Sequence, residues 1–411
     1  MQNGSNKRNS ASFKVVFWSL ILIALLAALF SGDSVASALG IDVLEFAAMS
    51  DVLFTVAILL LVGAGVLLHA IQSGRFKTLP MILILLLTGL VNLSFLNNSY
   101  ASGRLAILSI PIGFIYLFIV TDYYSIPDRA ATVIKWCFTI WAILPVLLFL
   151  VFSSSSERFN FLDTIDGTFG GFAGSRNGYG LYGGLAVLML LLDRSRWKWI
   201  FITLIGYGFL LAQSRTLALS LGVSLGYYVF FVLKGRAKYY MATILIASSV
   251  AFFLMLQLYA VRDVSFTEDS TRVLLFASNL EFAMNHLYWG SGGGYSADAV
   301  GEAATGAAAG YSPAHNFILE TITGYGIFAA IVYFYFLLYL WKKYGAEGRV
   351  FLSYMFAYGM TQPGMGLRAL SVNSLLFYIC VIYYAKRGHM PHRMETMRGK
   401  KDRLTYTGTH A

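Results

Sequence analysis

Apolar runs of about 20 residues recur along this chain, and the basic residues lie mostly in the segments between and beyond them. A run of that length can cross the hydrocarbon core of a bilayer as a single helix. Only 12% of the residues are charged, whereas a soluble domain carries roughly 25%. Together these features predict an all-α integral membrane protein.

The length of the apolar runs predicts about 12 transmembrane helices. The predicted spans are 15–31, 52–71, 79–96, 105–121, 132–152, 178–192, 197–213, 216–233, 239–260, 316–340, 350–364 and 370–385. The chain then divides into a disordered N-terminal segment at 1–14, a polytopic membrane domain at 15–385 and a basic tail at 386–411.

Basic residues predict the orientation, because they stay on the cytoplasmic side of a membrane protein. With a cytoplasmic N-terminus, 23 of the 30 lysine and arginine residues fall in cytoplasmic segments, and the C-terminal tail is cytoplasmic as well. The net charge of +10 therefore reflects the excess of basic residues on the cytoplasmic side of a membrane protein, and it does not indicate a nucleic-acid partner.

The basic residues predicted on the outer side are all arginine, whereas all twelve lysines are inside. These arginines are Arg104, Arg158, Arg176, Arg215, Arg262, Arg272 and Arg368. A guanidinium binds phosphate or carboxylate through two parallel hydrogen bonds, so this group favours an anionic ligand. Pairing with outer acids such as Asp163 or Asp263 is the simpler alternative.

The outer side lacks an Asp-x-Asp motif and a His/Asp cluster, and the chain has no phosphate-binding loop motif. We therefore expect no metal ion and no cofactor. Arginines, rather than a metal, would handle an anionic substrate.

The largest hydrophilic segment is the predicted outer loop at 261–314. Apolar residues recur at helical spacing in its first part, at Val273, Phe276, Leu280, Ala283 and Leu287. Glu281 and Asn285 lie opposite them, which predicts an amphipathic helix on the outer membrane face. The glycine-rich stretch at 290–294 is either a flexible turn or a turn that wraps phosphate with backbone N–H groups.

The tenth predicted span begins after the stretch Y-S-P-A-H-N at 311–316. Ser312 suits an N-cap and Pro313 the first helical position, which would place His315 and Asn316 in the first turn. The positive helix end there attracts phosphate and disfavours imidazolium, so a neutral His315 could accept a proton. The alternative is a histidine that caps the helix or lies among the headgroups.

Two other turns hold an arginine at the outer surface. Gln213-Ser214-Arg215 forms the whole turn between the seventh and eighth spans, and Arg176-Asn177 opens the sixth span. An ion kept near the membrane in this way indicates a functional role.

Taken together, these residues resemble the bacterial O-antigen ligase and Wzy-type polysaccharide polymerase superfamily. Arg176-Asn177-Gly178 is similar to the family's Arg/Asn-Gly motif at the start of a span, and Ser214-Arg215 to its Ser-Arg turn. Arg272, followed by Trp289 and the glycines at 290–294, resembles its outer-loop pattern.

The resemblance extends to the tenth span and covers residues 165–345. His315-Asn316, followed after nine residues by Gly326, is similar to the family's His-Asn-x9-Gly signature. Ala329 departs from the pattern, since ligases tend to carry Gly, Thr or Tyr at that position.

This resemblance implies a metal-independent, inverting glycosyltransferase with a GT-C-like fold. It would be a multi-pass protein of the bacterial inner membrane, with its site facing the periplasm. The donor would be an oligosaccharide on undecaprenyl diphosphate, and the acceptor a second glycan or lipid A-core. Membrane lipids, a flippase and a chain-length regulator are the further partners that it implies.

The hypothesis assigns roles to particular residues. We expect catalysis from His315, Arg215 and Arg272, by deprotonation or orientation of the acceptor hydroxyl and by stabilisation of the diphosphate charge. Substrate binding is expected from Arg176, Asn177, Asn316, Gly292 and Gly294.

Three functions remain in competition. A polymerase of repeat units is preferred, because such polymerases are many and diverse. An O-antigen ligase shares the same motifs, and the His-Asn-x9-Gly spacing favours it. A flippase or transporter with 12 spans is the third, but transporters place ionisable groups near the midplane, whereas here they collect at the outer rim.

Overall fold

The computed structural model describes residues 11–30, 43–73, 78–97, 113–117, 120, 129–152, 169–173, 176–193, 195–233, 235–236, 238–243, 247, 276–277, 279–291, 316–362, 377, 379–381 and 383–384. The regular elements among these residues are helices. They agree with the predicted all-α class.

The main helices are α1 (Ala11–Phe30), α2 (Val43–Ser73), α3 (Thr78–Asn97), α4 (Ala130–Phe152), α5 (Arg176–Leu191), α6 (Lys198–Ala212), α7 (Arg215–Tyr227), α8 (Phe317–Lys343) and α9 (Ala346–Gly359). A 3-10 turn at Gly171–Ala173 precedes α5, and a π-helical segment at Tyr228–Val232 continues α7. Residues 279–285 form a further short helix, which we call the loop helix.

Each of the nine labelled helices coincides with a predicted span, with differences at the ends. The largest differences are that α2 begins at Val43 rather than at 52, that α7 ends at Tyr227 rather than at 233, and that α9 ends at Gly359 rather than at 364. The predicted spans at 105–121, 239–260 and 370–385 lie largely outside the described residues. The total of twelve spans therefore stays a prediction.

Two helices in the described part of the chain are long and apolar enough to cross a membrane, at Ala130–Val151 and Phe317–Lys343. Shorter apolar helices occur at Val56–Gln72, Met81–Leu93, Lys198–Ala212 and Thr216–Phe231.

Helix α5 is the centre of the packing that positions the site, since its residues from Tyr179 to Leu190 are all buried. It packs against α4, α6 and α7, and α7 in turn packs against α9. Small residues allow this close approach. A methyl group on Gly184 would overlap the Tyr354 hydroxyl, and one on Gly208 would overlap the Tyr179 hydroxyl.

One end of this bundle is held by charged groups, and we call it the lysine end. Lys135 on α4 forms an ion pair with Asp193, which follows α5. The Lys198 ammonium donates to the Leu191 carbonyl at 3.1 Å and to the Asp193 carbonyl at 2.7 Å. These bonds fix the last turn of α5 against the starts of α4 and α6.

Candidate functional site

The first turn of α5 carries the predicted Arg176-Asn177 pair, and both side chains are half-buried. The Ser214 hydroxyl, which is 1% exposed, donates to Asn177 Oδ1 at 2.9 Å. Two motifs that the sequence analysis identified separately, Arg-Asn and Ser-Arg, are thus joined by a direct hydrogen bond.

The backbone of the Ser-Arg turn explains how Ser214 reaches this position. Gln213 has a left-handed conformation (φ 49°) that ends α6, and Ser214 then caps α7 by accepting a hydrogen bond from the Leu217 N–H at 3.3 Å. Ser is among the preferred N-cap residues because its oxygen satisfies an N–H that lacks a helical partner. Arg215 is the first residue of α7.

Asn316 is the N-cap of α8, not a residue of its first turn. It has extended backbone angles (φ −146°, ψ 114°), and its Oδ1 accepts from the N–H groups of Ile318 at 3.0 Å and Leu319 at 3.1 Å. The expectation that Ser312 and Pro313 start this helix is wrong, because the asparagine side chain satisfies the first N–H groups four residues later. His315 directly precedes this cap and lies outside the described residues.

The last turn of α9 contacts both groups of residues. The Tyr358 hydroxyl donates to the Asn177 carbonyl at 3.1 Å, and Asn316 Nδ2 donates to the Met360 carbonyl at 3.4 Å. The starts of α5, α7 and α8 therefore meet at the end of α9, and we call this region the site end. Since helix N-termini carry partial positive charge, three of them in one place favour an anionic group.

Gly326, the last residue of the His-Asn-x9-Gly signature, interrupts α8 with non-helical angles (φ 81°, ψ 171°). The break admits the segment 287–291: the Ile327 N–H donates to the Leu287 carbonyl at 2.7 Å, and the Ser291 N–H to the Thr323 carbonyl at 2.9 Å. A side chain on Gly326 would overlap the Tyr288 carbonyl.

Gly290 is the matching residue on the other side of this interlock. It also has a positive φ (72°), and a Cβ there would lie 2.5 Å from the Gly324 carbonyl oxygen. Gly290 packs directly against α8. It therefore fits neither the flexible turn nor the phosphate-binding turn that the glycine-rich stretch suggested. Gly292 and Gly294 lie outside the described residues.

The loop helix packs one of its predicted apolar residues against α8, and its place on the membrane face stays a prediction. Ala283 is buried against Leu319 of α8, whereas Phe276 and Leu280 are each 44% exposed. Packing against α8 therefore buries Ala283, and the other two apolar residues stay exposed. The predicted polar face, with Glu281, is exposed as expected.

The structure thus brings together Asn177, the Ser-Arg turn and Asn316, with Arg176 and the backbone of Arg215 beside them. Arg272, His315, Gly292 and Gly294 lie outside the described residues, so their places in the site stay predictions.

Two residues of this region were missed by the sequence analysis. Glu320 is 8% exposed and lies one helical turn after Asn316, and Tyr358 is 5% exposed. An acid inside an apolar run is a usable signal for Glu320. Tyr358 gives no such signal, because a tyrosine near the end of a span is ordinary.

Among the described residues, no group of three or more His, Cys, Asp and Glu side chains is placed to hold a metal ion. The polar contacts of the site end described above are made by hydroxyl, amide and backbone groups.

Residues 199–334 match the family model described as O-antigen ligase. This segment is similar to the O-antigen ligase and Wzy-type superfamily, and it covers about a third of the chain. The predicted resemblance is confirmed, and the comparison with curated proteins finds no match. Together with the apolar helices, this match supports a membrane enzyme of O-antigen and polysaccharide assembly with a glycosyltransferase-type reaction.

The O-antigen ligase match covers only part of the site end. Ser214, Arg215, Asn316 and Gly326 lie within it, whereas the Arg176-Asn177 pair and α9 lie outside. The hydrogen bonds of Asn177 with Ser214 and Tyr358 nevertheless connect these outer segments to the matched one.

Proposed function

We propose that this protein is a membrane glycosyltransferase that uses an undecaprenyl-diphosphate-linked glycan and polymerises O-antigen or exopolysaccharide repeat units. The observation that carries the proposal is the convergence of the Arg-Asn, Ser-Arg and Asn316 segments at the site end. Three helix N-termini and at least two arginines suit a diphosphate, which is the charged part of such a donor.

In the reaction, the acceptor hydroxyl oxygen attacks the anomeric carbon of the donor glycan. The bond from that carbon to the diphosphate oxygen breaks, so the configuration inverts and the lipid diphosphate leaves. Arg176, Arg215 and Arg272 stabilise the negative charge that develops on the leaving group, which is a large contribution in a water-poor site. His315 takes the proton of the acceptor hydroxyl or orients that hydroxyl.

The donor and acceptor would meet at the periplasmic face of the inner membrane. The diphosphate headgroup lies at that depth when the polyprenyl chain is in the bilayer, and the outer arginines were predicted at the same depth. A flippase would deliver the donor, and a chain-length regulator would act on the product.

An O-antigen ligase is the second candidate, because the His-Asn-x9-Gly signature is complete and Gly326 has a defined role in the structure. The ligase would use the same donor with lipid A-core as the acceptor. The two functions differ in the acceptor alone.

The polysaccharide profile of a deletion strain separates the two candidates. Core that carries one repeat unit indicates a lost polymerase, and bare core with accumulated lipid-linked polymer indicates a lost ligase. A normal profile would contradict both.

Complementation of that strain tests the assigned residues. We expect Arg215→Ala and His315→Ala to abolish polysaccharide, and full activity from both would overturn the assignment. Arg215→Lys separates charge from geometry, because lysine keeps the charge and loses the forked hydrogen bonds. A flippase would instead appear as purified protein that moves a labelled lipid-linked glycan across vesicles without transferring it.

A further inference from the structure

The C-terminal half of α9 carries two buried tyrosines, Tyr354 and Tyr358, on one face. Their rings stack with centroids 6.4 Å apart. The Tyr354 hydroxyl donates to the Gly180 carbonyl at 2.9 Å, and the Tyr358 hydroxyl to the Asn177 carbonyl at 3.1 Å. The spacing of four residues matches one helical turn, so the pair binds two successive levels of α5.

The Tyr358 bond is made at the functional end of α5, since its acceptor is the backbone of a predicted substrate-binding residue. A carbonyl oxygen has two lone pairs, so it can accept this hydroxyl in addition to a helical N–H. The side chain of the same Asn177 accepts from Ser214. Both the backbone and the side chain of this residue are therefore held from neighbouring helices.

Two residues further along α9, the Met360 carbonyl accepts from Asn316 Nδ2. Met360 is the C-cap of α9, and carbonyls at a helix end lack helical partners. Asn316 thus caps α8 with its oxygen and contacts the end of α9 with its nitrogen. The last turn of α9 is the common support of the α5 and α8 starts.

We propose that Tyr358 is a positioning residue of the transfer site, whose hydroxyl sets the distance between the start of α5 at Arg176-Asn177 and the start of α8 at Asn316. This inference rests on the proposed function. Arg176 and Asn177 are proposed to bind the donor diphosphate, and the residue that precedes Asn316 in the chain is proposed to handle the acceptor, so the separation of the two helix starts affects the distance over which the bond forms. A displacement of 1 Å can lower a rate by about 100-fold.

The test uses the purified full-length protein in proteoliposomes with a labelled undecaprenyl-diphosphate glycan and its acceptor. Tyr358→Phe removes the hydroxyl and keeps the ring. We expect kcat to fall by about 10-fold or more, with KM for the donor and the yield of folded protein close to the wild-type values.

Tyr179→Phe is the matched control. Tyr179 lies on α5 two residues after Asn177, and its buried hydroxyl donates to the Ala142 carbonyl of α4 at 3.0 Å. Tyr179→Phe therefore also removes a hydrogen bond between a buried tyrosine hydroxyl and a backbone carbonyl. This bond joins α5 to α4 and does not involve α9. Tyr354→Phe, one turn deeper, is expected to lower kcat less than Tyr358→Phe does.

The outcomes separate this inference from the proposed function. Transfer by wild type with an equal kcat in Tyr358→Phe overturns the positioning role alone. Equal losses of kcat in Tyr358→Phe and Tyr179→Phe also overturn it, because the effect would then be general destabilisation. Wild-type protein that transfers no glycan to any hydroxyl acceptor overturns the proposed function, and the positioning role with it.

Discussion

The two ends of the helix bundle are held by different chemistry. At the lysine end, Lys135 pairs with Asp193, and Lys198 donates to two carbonyls that close α5. At the site end, the contacts that join the helices use the neutral side chains of Ser214, Tyr358 and Asn316.

This difference is consistent with the anionic donor proposed above. A cation that joins two helices loses part of its hydration and depends on its partner, so a competing substrate phosphate would loosen the joint. Neutral hydrogen bonds do not compete with a diphosphate for charge. We therefore interpret the lysine end as a structural clamp, and the bonds of Ser214, Tyr358 and Asn316 as a frame that does not depend on the charge of the proposed donor.

Among the changes at the site end, Gly326→Ala is expected to have the largest effect. Alanine at φ 81° is strained, and its Cβ would overlap the Tyr288 carbonyl. We expect a loss of at least about 3 kcal/mol in stability, because the overlap adds to the backbone strain, and polysaccharide below detection. The measurements are the polysaccharide ladder and the amount of protein in the membrane.

Gly222→Ala is the control for that change. Gly222 lies in α7, and nothing lies within 4 Å of the position that a Cβ would take. We expect a normal ladder. A normal ladder from Gly326→Ala as well would show that the interlock of 287–291 with α8 is dispensable.

Asn316→Asp separates the two contacts of one residue at the site end. The carboxylate still accepts from the Ile318 and Leu319 N–H groups, and its charge suits a helix N-terminus. It cannot donate to the Met360 carbonyl, which repels it. We expect near-normal thermal stability with a transfer rate about 10-fold lower, measured on the same purified sample.

Asn316→Ala should lower both quantities, because it removes the cap as well. If Asn316→Asp transferred glycan at the wild-type rate, the contact between α8 and α9 would have no part in the reaction.

Sequence reasoning predicted the helices and the motifs of this chain better than it predicted the contacts between them. The apolar runs located α4 to α8 within a few residues, because a span must be long and apolar whatever it packs against. The start of α8 was misplaced, since Ser312-Pro313 is a good cap by composition and only the three-dimensional contacts favour Asn316.

The role of Tyr358 was not predictable for a related reason. Its partner is the backbone carbonyl of Asn177, 181 residues away in the chain, and a carbonyl has no sequence signature. The family signature includes Gly326, but the sequence does not show that the segment 287–291 packs against it.

Ser214→Ala, together with Ser195→Ala, compares a buried helix cap at the site end with an exposed turn serine at the lysine end. It removes the bond from the Leu217 N–H and the bond to Asn177, so we expect a loss of about 1–2 kcal/mol in stability. The transfer rate should fall as well. Ser195→Ala removes a bond from the Trp197 N–H at 3.3 Å in an exposed turn, and we expect little change in either quantity. Comparable effects of the two changes would remove the distinction between the two ends.

Lys135→Met should have the smallest effect on transfer, because it changes the lysine end and not the site end. The Lys135 and Asp193 side chains are 12% and 24% exposed, so breaking the pair leaves a partly buried carboxylate. We expect a stability loss of about 1 kcal/mol at an unchanged rate per folded molecule. Adding Asp193→Asn should restore part of the stability, because it removes the carboxylate that has lost its Lys135 partner. Thermal unfolding in detergent and transfer assays on matched amounts of protein measure both. A lower rate per folded molecule would mean that the lysine end also controls the site.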